Sequence, residues 1–173
     1  NNTCKEPLFI SPVVPPVSFF HLRCAAKLFV LILCKILPIM RTIAIVAGGN
    51  SSEYPVSVRS AEGVTRALQG KYETYIITIR GTDWYSEDPK GRVFRVDKND
   101  FTLALDDERI RFDAAFIAIH GNPGENGLLQ GYFDMVGIPY TSCDAFVSAL
   151  TFNKQACKLY LNEYGIPMTG GLL

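Results

Sequence analysis

Six consecutive apolar or β-branched residues, Thr42 to Ala47, leave no polar face, which is the pattern of a strand buried on both sides in a parallel sheet. A second such run, Ala114 to Ile119, occurs further along the chain. Each empties into glycines, Gly48 and Gly49 after the first and Gly121, Gly124 and Gly127 after the second. Each is then followed by apolar residues at helical spacing. The first helix is predicted over about Pro55 to Leu68, with Val56, Val58, Ala61, Val64, Ala67 and Leu68 as inner-face candidates; the second covers Leu128 to Val136. Tyr72 to Ile79 alternates and predicts a further strand after the Gly70-Lys71 turn. Between Gly81 and Arg111 the pieces Arg92–Val96, Phe101–Leu105 and Arg109–Phe112 are short and separated by Asp, Lys and Asn turns. Small antiparallel strands or hairpins are expected there, with Trp84 packing against them rather than binding a ligand. Ile138 to Thr141 reads as a short strand, Asp144 as the cap of a helix to Leu150, and Thr151 to Leu161 as a last helix ended by Gly165. The succession predicts an α/β fold, a doubly wound parallel sheet with a small β-hairpin insertion and ligands at the carboxyl ends of the strands.

Asn1 to Ile39 follows another pattern. Four prolines precede Leu28-Phe-Val-Leu-Ile-Leu-Cys34, an apolar run bracketed by lysines and well short of the ~20 residues that span a bilayer. No small-residue cleavage site follows it, and Met40 stands directly before the first strand. Asn1–Ile39 is expected to be a leader, non-native or disordered, with a real anchor or targeting piece as the alternative.

Composition adds exclusions. With 48% hydrophobic and 20% charged residues in 173, the chain has the balance of a soluble globular protein. Net charge is zero, but four basic residues and one acid lie before Met40, leaving 13 basic and 16 acidic residues for the body. A mildly acidic body without basic stripes argues against nucleic acid as a partner. Five cysteines without a C-x-x-C pair argue against a disulfide framework or structural zinc and for a reducing, cytoplasmic location; Cys143 and Cys157 read as small buried residues.

The candidate chemistry lies in the two glycine loops. Gly48-Gly49-Asn50-Ser51-Ser52-Glu53 has neither the lysine of a P-loop nor the third glycine of a dinucleotide fingerprint, and a carboxylate at a helix start repels phosphate. Glu53 therefore suits an ammonium group, or serves only as a favourable first-turn charge. In the second loop His120 is either a titratable group at a ligand site or a structural hydrogen-bonder, and Glu125 is expected to order the turn by accepting N–H groups at the helix start. Lys154, on its own, reads as a solvated helix lysine.

The stretch His120-Gly-Asn-Pro-Gly-Glu-Asn-Gly-Leu-Leu-Gln-Gly131 resembles the first signature of the D-alanine-D-alanine ligases, His-Gly-x-x-Gly-Glu followed by Asp or Asn, Gly and small residues. Gly48 to Glu53 is similar to their Gly-Gly-x-Ser-x-Glu loop, Val56-Ser57 to a Val-Ser pair on the following helix, and Ala149 to Lys154 to their Ala-Leu-x-x-Asp/Asn-Lys segment. The resemblance implies a pre-ATP-grasp, Rossmann-like domain over 40–141 and the beginning of an ATP-grasp central domain over 142–173. It implies that Glu53 binds the ammonium of the first D-alanine, that His120 lies near the substrate carboxyl, that Ser57 supports or contacts the substrate, and that Lys154 contacts ATP phosphate. Gly48, Gly49, Gly121, Gly124, Glu125 and Gly127 become the structural loop positions. The implied reaction joins two D-alanines at the expense of ATP through an acyl phosphate, for peptidoglycan precursors, with Mg2+ (or Mn2+) held by residues beyond Leu173 and no metal ligands in this chain. A homodimer and a cytoplasmic location without membrane contact are implied too. The chain alone is expected to be inactive as a ligase; a non-catalytic α/β binding module and a D-alanine-D-lactate type ligase fragment are the alternatives.

Overall fold

Strand β1, Thr42–Gly48, is the axis of the domain and is buried almost end to end. Its alternating side chains divide between two cores: Ala44 and Val46 enter one, Ile45 and Ala47 the other. The computed structural model describes residues 41–169. The chain divides into two units, Asn1–Ile39 and Met40–Leu173, so the leader expected over the first lies outside the described residues.

The second unit runs β1, α1 (Tyr54–Leu68), β2 (Glu73–Arg80), β3 (Asp83–Glu87), β4 (Val93–Asp97), β5 (Thr102–Leu105), β6 (Glu108–Ile110), β7 (Ala114–Ile117), α2 (Leu128–Val136), α3 (Ala145–Phe152) and α4 (Lys154–Asn162). One seven-stranded sheet has the order β6-β5-β4-β3-β2-β1-β7. β1 pairs in parallel with β2 and with β7, and Tyr140 adds a parallel bridge to Ala115. Each pairing from β2 to β6 is antiparallel. The expected hairpin insertion therefore continues the parallel sheet edge to edge. Its first strand, β3, lies where no strand was expected, joined to β2 across Gly81 and Thr82 with Ile79 opposite Trp84.

Helices cover both faces. On one, Ala61, Val64 and Leu68 of α1 pack on Ile45, Ala47, Ile76 and Phe116. The buried stripe of α1 begins at Ser57, while Val56 is 41% exposed and Ala67 is exposed, so two of the expected inner positions face outward. On the other face, Leu129 and Phe133 of α2 close over Val46, Ile77 and Ile79 and meet Leu103 of β5 with Phe101 and Phe112, which lie just before β5 and just after β6. Fully burying an Ile, Leu or Phe is worth about 1.5–3 kcal/mol, so this cluster dominates the fold. Trp84 joins it edge-on to Tyr132, 5.0 Å between ring centres.

Helix ends follow local chemistry. Pro55 opens α1, where a missing N–H costs nothing. Left-handed Gly137 closes α2, and the Ile138 N–H donates back to the Phe133 carbonyl. Asp144 and Asn153 cap α3 and α4, accepting from the N–H groups of Val147 and Ala156. Among the described residues no helix is long and apolar enough to cross a membrane.

Candidate functional site

The strand order β2-β1-β7 sends the two connections leaving β1 and entering β7 to opposite sides of β1. This is the switch point at which open α/β sheets place ligands, beyond the carboxyl ends of the strands. The loops after β1 and β7 open side by side there and are fastened to each other. The Asn50 N–H donates to the Asn122 carbonyl at 2.9 Å, and Ser51 Oγ donates to the His120 carbonyl at 2.9 Å. Asn50 also reaches the other way, its Oδ1 accepting from the Gly81 N–H after β2. Gly48, Gly49, Gly124 and Gly127 leave no room for a side chain: Gly49, at φ 95°, has Ile119 Cγ2 2.6 Å from where a Cβ would stand, and Gly124 has Ile119 Cβ at the same distance.

Ser57 is wholly buried. Its hydroxyl accepts from the Gly48 N–H at 2.9 Å and donates to the Ala118 carbonyl at 2.7 Å, tying α1 to the ends of both β1 and β7. With no exposed surface and both bonds internal, it acts on the loops from behind. Glu53 is the N-cap residue of α1, exposed, and its carboxylate makes no capping bond. Its own N–H donates to Ser51 Oγ at 3.2 Å. The carboxylate thus stands in solvent beside the joined loops.

His120 is half-buried at the start of the second loop. Glu125 closes that loop on itself: its Oε2 accepts from the Gly121 N–H, and its N–H donates to the Gly121 carbonyl, both at 2.9 Å. The acceptor at the helix start is instead Asn126, whose Oδ1 faces the Leu128 N–H. Gln130, which sequence reasoning passed over, is completely buried and donates from Nε2 to the Gly124 carbonyl at 2.6 Å. The only signal for it was an amide on the apolar face of a helix.

Two cavities flank the second loop. One of about 340 Å³ is lined by His120, Gly124, Glu125, Ser142, Ser60 and Val64 among others. The other, also about 340 Å³, is lined by Lys154, Glu125, Ser142, Cys143, Ser148 and Thr151 among others. Glu125 and Ser142 border both, so His120 and Lys154 occupy separate cavities that share a wall. A third space of about 540 Å³ lies over the first loop, between Ser51, Tyr54 and Arg80. Against the expectation that both are small buried residues, Cys143 is exposed in the loop ahead of α3 and Cys157 is half-buried on α4, a helix without a buried residue. Among the described residues no three His, Cys, Asp or Glu side chains gather as a metal site.

A helix start offering a free carboxylate, a histidine at an adjacent strand end and a lysine beyond a shared wall can hold an amino acid by its ammonium and an anionic group further along. Residues 42–143 match the family model described as D-ala D-ala ligase N-terminus. A D-alanine--D-alanine ligase from Phocaeicola vulgatus is 50% identical over 134 residues, which are 77% of this chain and 41% of the relative. The crystal structure of D-alanine-D-alanine ligase from Aeromonas hydrophila aligns with a TM-score of 0.68 at 32% identity, covering 77% of this chain and 50% of that one. The Bacillus anthracis ligase complexed with ATP aligns with a TM-score of 0.56 at 28% identity, over 75% and 39% of the two chains. This chain thus spans about two-fifths of the curated relative's length. The fold, the paired glycine loops and these matches together place it in the D-alanine-D-alanine ligase family, as that family's N-terminal domain.

Proposed function

We propose that this chain is the N-terminal part of an ATP-dependent carbon–nitrogen ligase that joins two D-alanines for the bacterial cell wall. The observation that carries the reading is the fastening of the Gly48–Glu53 loop to the His120–Gly127 loop at the switch point, with the exposed Glu53 carboxylate making no capping bond among the described residues. Glu53 holds the ammonium of the first D-alanine. His120 faces that substrate's carboxyl group, where it offsets charge or handles a proton. Ser57 positions both loops, a role supported by its two buried hydrogen bonds. Lys154, exposed at the start of α4, fits a phosphate group by charge, and the helix's positive end adds to it. ATP supplies the phosphoryl group that activates the first carboxylate for attack by the second amine. No metal-binding step is assigned to these residues. The protein works in the cytoplasm, and a homodimer is supported by Leu128 and Met135, 63% and 81% exposed on one side of α2.

The test is a hybrid ligase in which this chain, from Met40, is joined in frame to the C-terminal remainder of the Phocaeicola vulgatus relative. Phosphate release from ATP should depend on D-alanine. Glu53→Gln should lower kcat/KM for D-alanine roughly 10- to 100-fold, the loss of one charge-assisted hydrogen bond. A folded hybrid without D-alanine-dependent turnover overturns the ligase reading; an active hybrid indifferent to Glu53→Gln overturns the role given to Glu53. Offering D-lactate as the second substrate separates the dipeptide-forming from the ester-forming variant.

A further inference from the structure

Gln130 lies on the buried face of α2, next to Leu129 and one turn from Phe133, with no exposed surface. Its Nε2 donates to the Gly124 carbonyl at 2.6 Å and lies 3.5 Å from Ser142 Oγ, whereas its Oε1 is buried without a partner. The Gly124 carbonyl can only accept, and this sets which way the amide points. A leucine or methionine here would avoid the desolvation of an unpaired carbonyl. What the amide adds is a tie. Gly124 sits in the middle of the second loop, packed so closely on Ile119 that it has no room for a side chain of its own. Its neighbour Glu125 closes the turn onto Gly121, and His120 precedes that turn. On its other side the same amide approaches Ser142, a residue held at φ 113° that borders both the His120 and the Lys154 cavities.

We propose that Gln130 is a positioning residue: its buried side-chain amide holds the His120–Glu125 turn in place through the Gly124 carbonyl and joins that turn to Ser142 in the wall between the two cavities. The inference rests on the ligase reading for its effect on turnover, though the tie itself is independent of it.

Hydrogen exchange on the 173-residue chain tests the tie. Gln130→Met keeps the shape of the side chain and removes the donor. Exchange at the Gly121 and Glu125 N–H groups, both bonded within the turn, should speed up about tenfold, while the Ala118 N–H, bonded to Val46 in the sheet, stays unchanged. Phe133→Leu, on the same helix and equally buried, is the control and should speed all three together. In the hybrid ligase, Gln130→Met should lower kcat/KM for D-alanine about tenfold. Gln130→Asn, one methylene too short to reach Gly124, replaces the methionine variant if that does not fold. Unchanged exchange in the turn, or a rise only in step with Ala118, overturns the tie. A loosened turn with unchanged kcat/KM for D-alanine overturns its importance for the site. An inactive unsubstituted hybrid overturns the ligase reading and leaves the exchange result to decide on the tie.

Discussion

A single hydroxyl, that of Ser57, stands where α1 crosses the ends of β1 and β7, and it is the acceptor for one strand and the donor for the other. Ser57→Ala leaves the Gly48 N–H and the Ala118 carbonyl unpaired in a region closed to water. Each orphaned group costs about 1–3 kcal/mol, so urea denaturation should show a loss of at least about 2 kcal/mol, far above an ordinary serine truncation at a surface. Gly124→Ala should cost roughly 1–3 kcal/mol by overpacking against Ile119, and the same denaturation experiment reads it. These residues show why part of the site was hidden in the sequence. Periodicity marks apolar positions, so the stripe of α1 was drawn through Val56 and Ala67 and missed that a serine heads it. Ser57 bonds across 61 positions of chain, and Ser51 across 69. Nothing local distinguishes a serine with such a partner from one facing solvent. The glycines were legible because a close approach to Ile119 or a left-handed turn allows no other residue.

The antiparallel strands β3 to β6 show how an element can look charged yet be held by its aromatic side. Their outer surface carries Arg92–Asp88, Arg95–Asp83 and Arg109–Asp97 ion pairs, each with an exposed arginine and the second with both partners exposed. Pairs of this kind contribute ~0–1 kcal/mol. Beneath them Phe101, wholly buried, lies 4.8 Å from Phe133 and 5.4 Å from Phe112 between ring centres. Arg95→Ala should therefore change stability by less than about 1 kcal/mol, and Phe101→Ala by about 3–5 kcal/mol; thermal melts of the two variants make the comparison. The strands β4 to β6 were readable from alternation between turn residues. Strand β3 was not, since Asp83-Trp-Tyr-Ser-Glu87 has an aromatic residue at each parity, Trp84 beside Ser86 and Tyr85 between two charges, and so shows no apolar alternation. Its pairing depends on the two-residue turn at Gly81-Thr82 and on Trp84 finding Tyr132 from α2. The main helices were legible in position because their caps, Asp144 and Gly137 among them, act through neighbours a few residues away.

For the molecule as a whole, the alternation of buried strand and helix was enough to read the doubly wound α/β arrangement, because a strand buried on both faces must be covered twice. That the antiparallel strands extend the same sheet depends on edge pairings no local pattern encodes. The aromatic core also sets how the domain meets high pH. Burial pushes the Tyr75 phenol up to about 12, helped by its hydrogen bond to Glu73, and burial with Asp100 and Asp97 nearby pushes Tyr132 up to about 12 as well. Both lie above the ordinary value of 10.0, so the folded state binds more protons than the unfolded one between those limits. This contribution to stability is whole below pH 10 and is lost as the pH rises through about 12. Denaturation midpoints measured across that window should fall, and Tyr75→Phe with Tyr132→Phe should flatten the decline.

Asn50 gives one hand to the loop after β7 and the other to the turn after β2, spanning three neighbouring strand ends from one residue. The Gly48–Glu53 segment is thus of fixed length: an added residue would carry Asn50 out of register with Asn122 and Gly81 at once. The Asp106-Asp107 turn between β5 and β6, at the far edge of the sheet, has no such double obligation. Variation in chain length should accordingly be confined to that far edge, and a scan of single-residue insertions should recover folded protein there and none between Gly49 and Ser51.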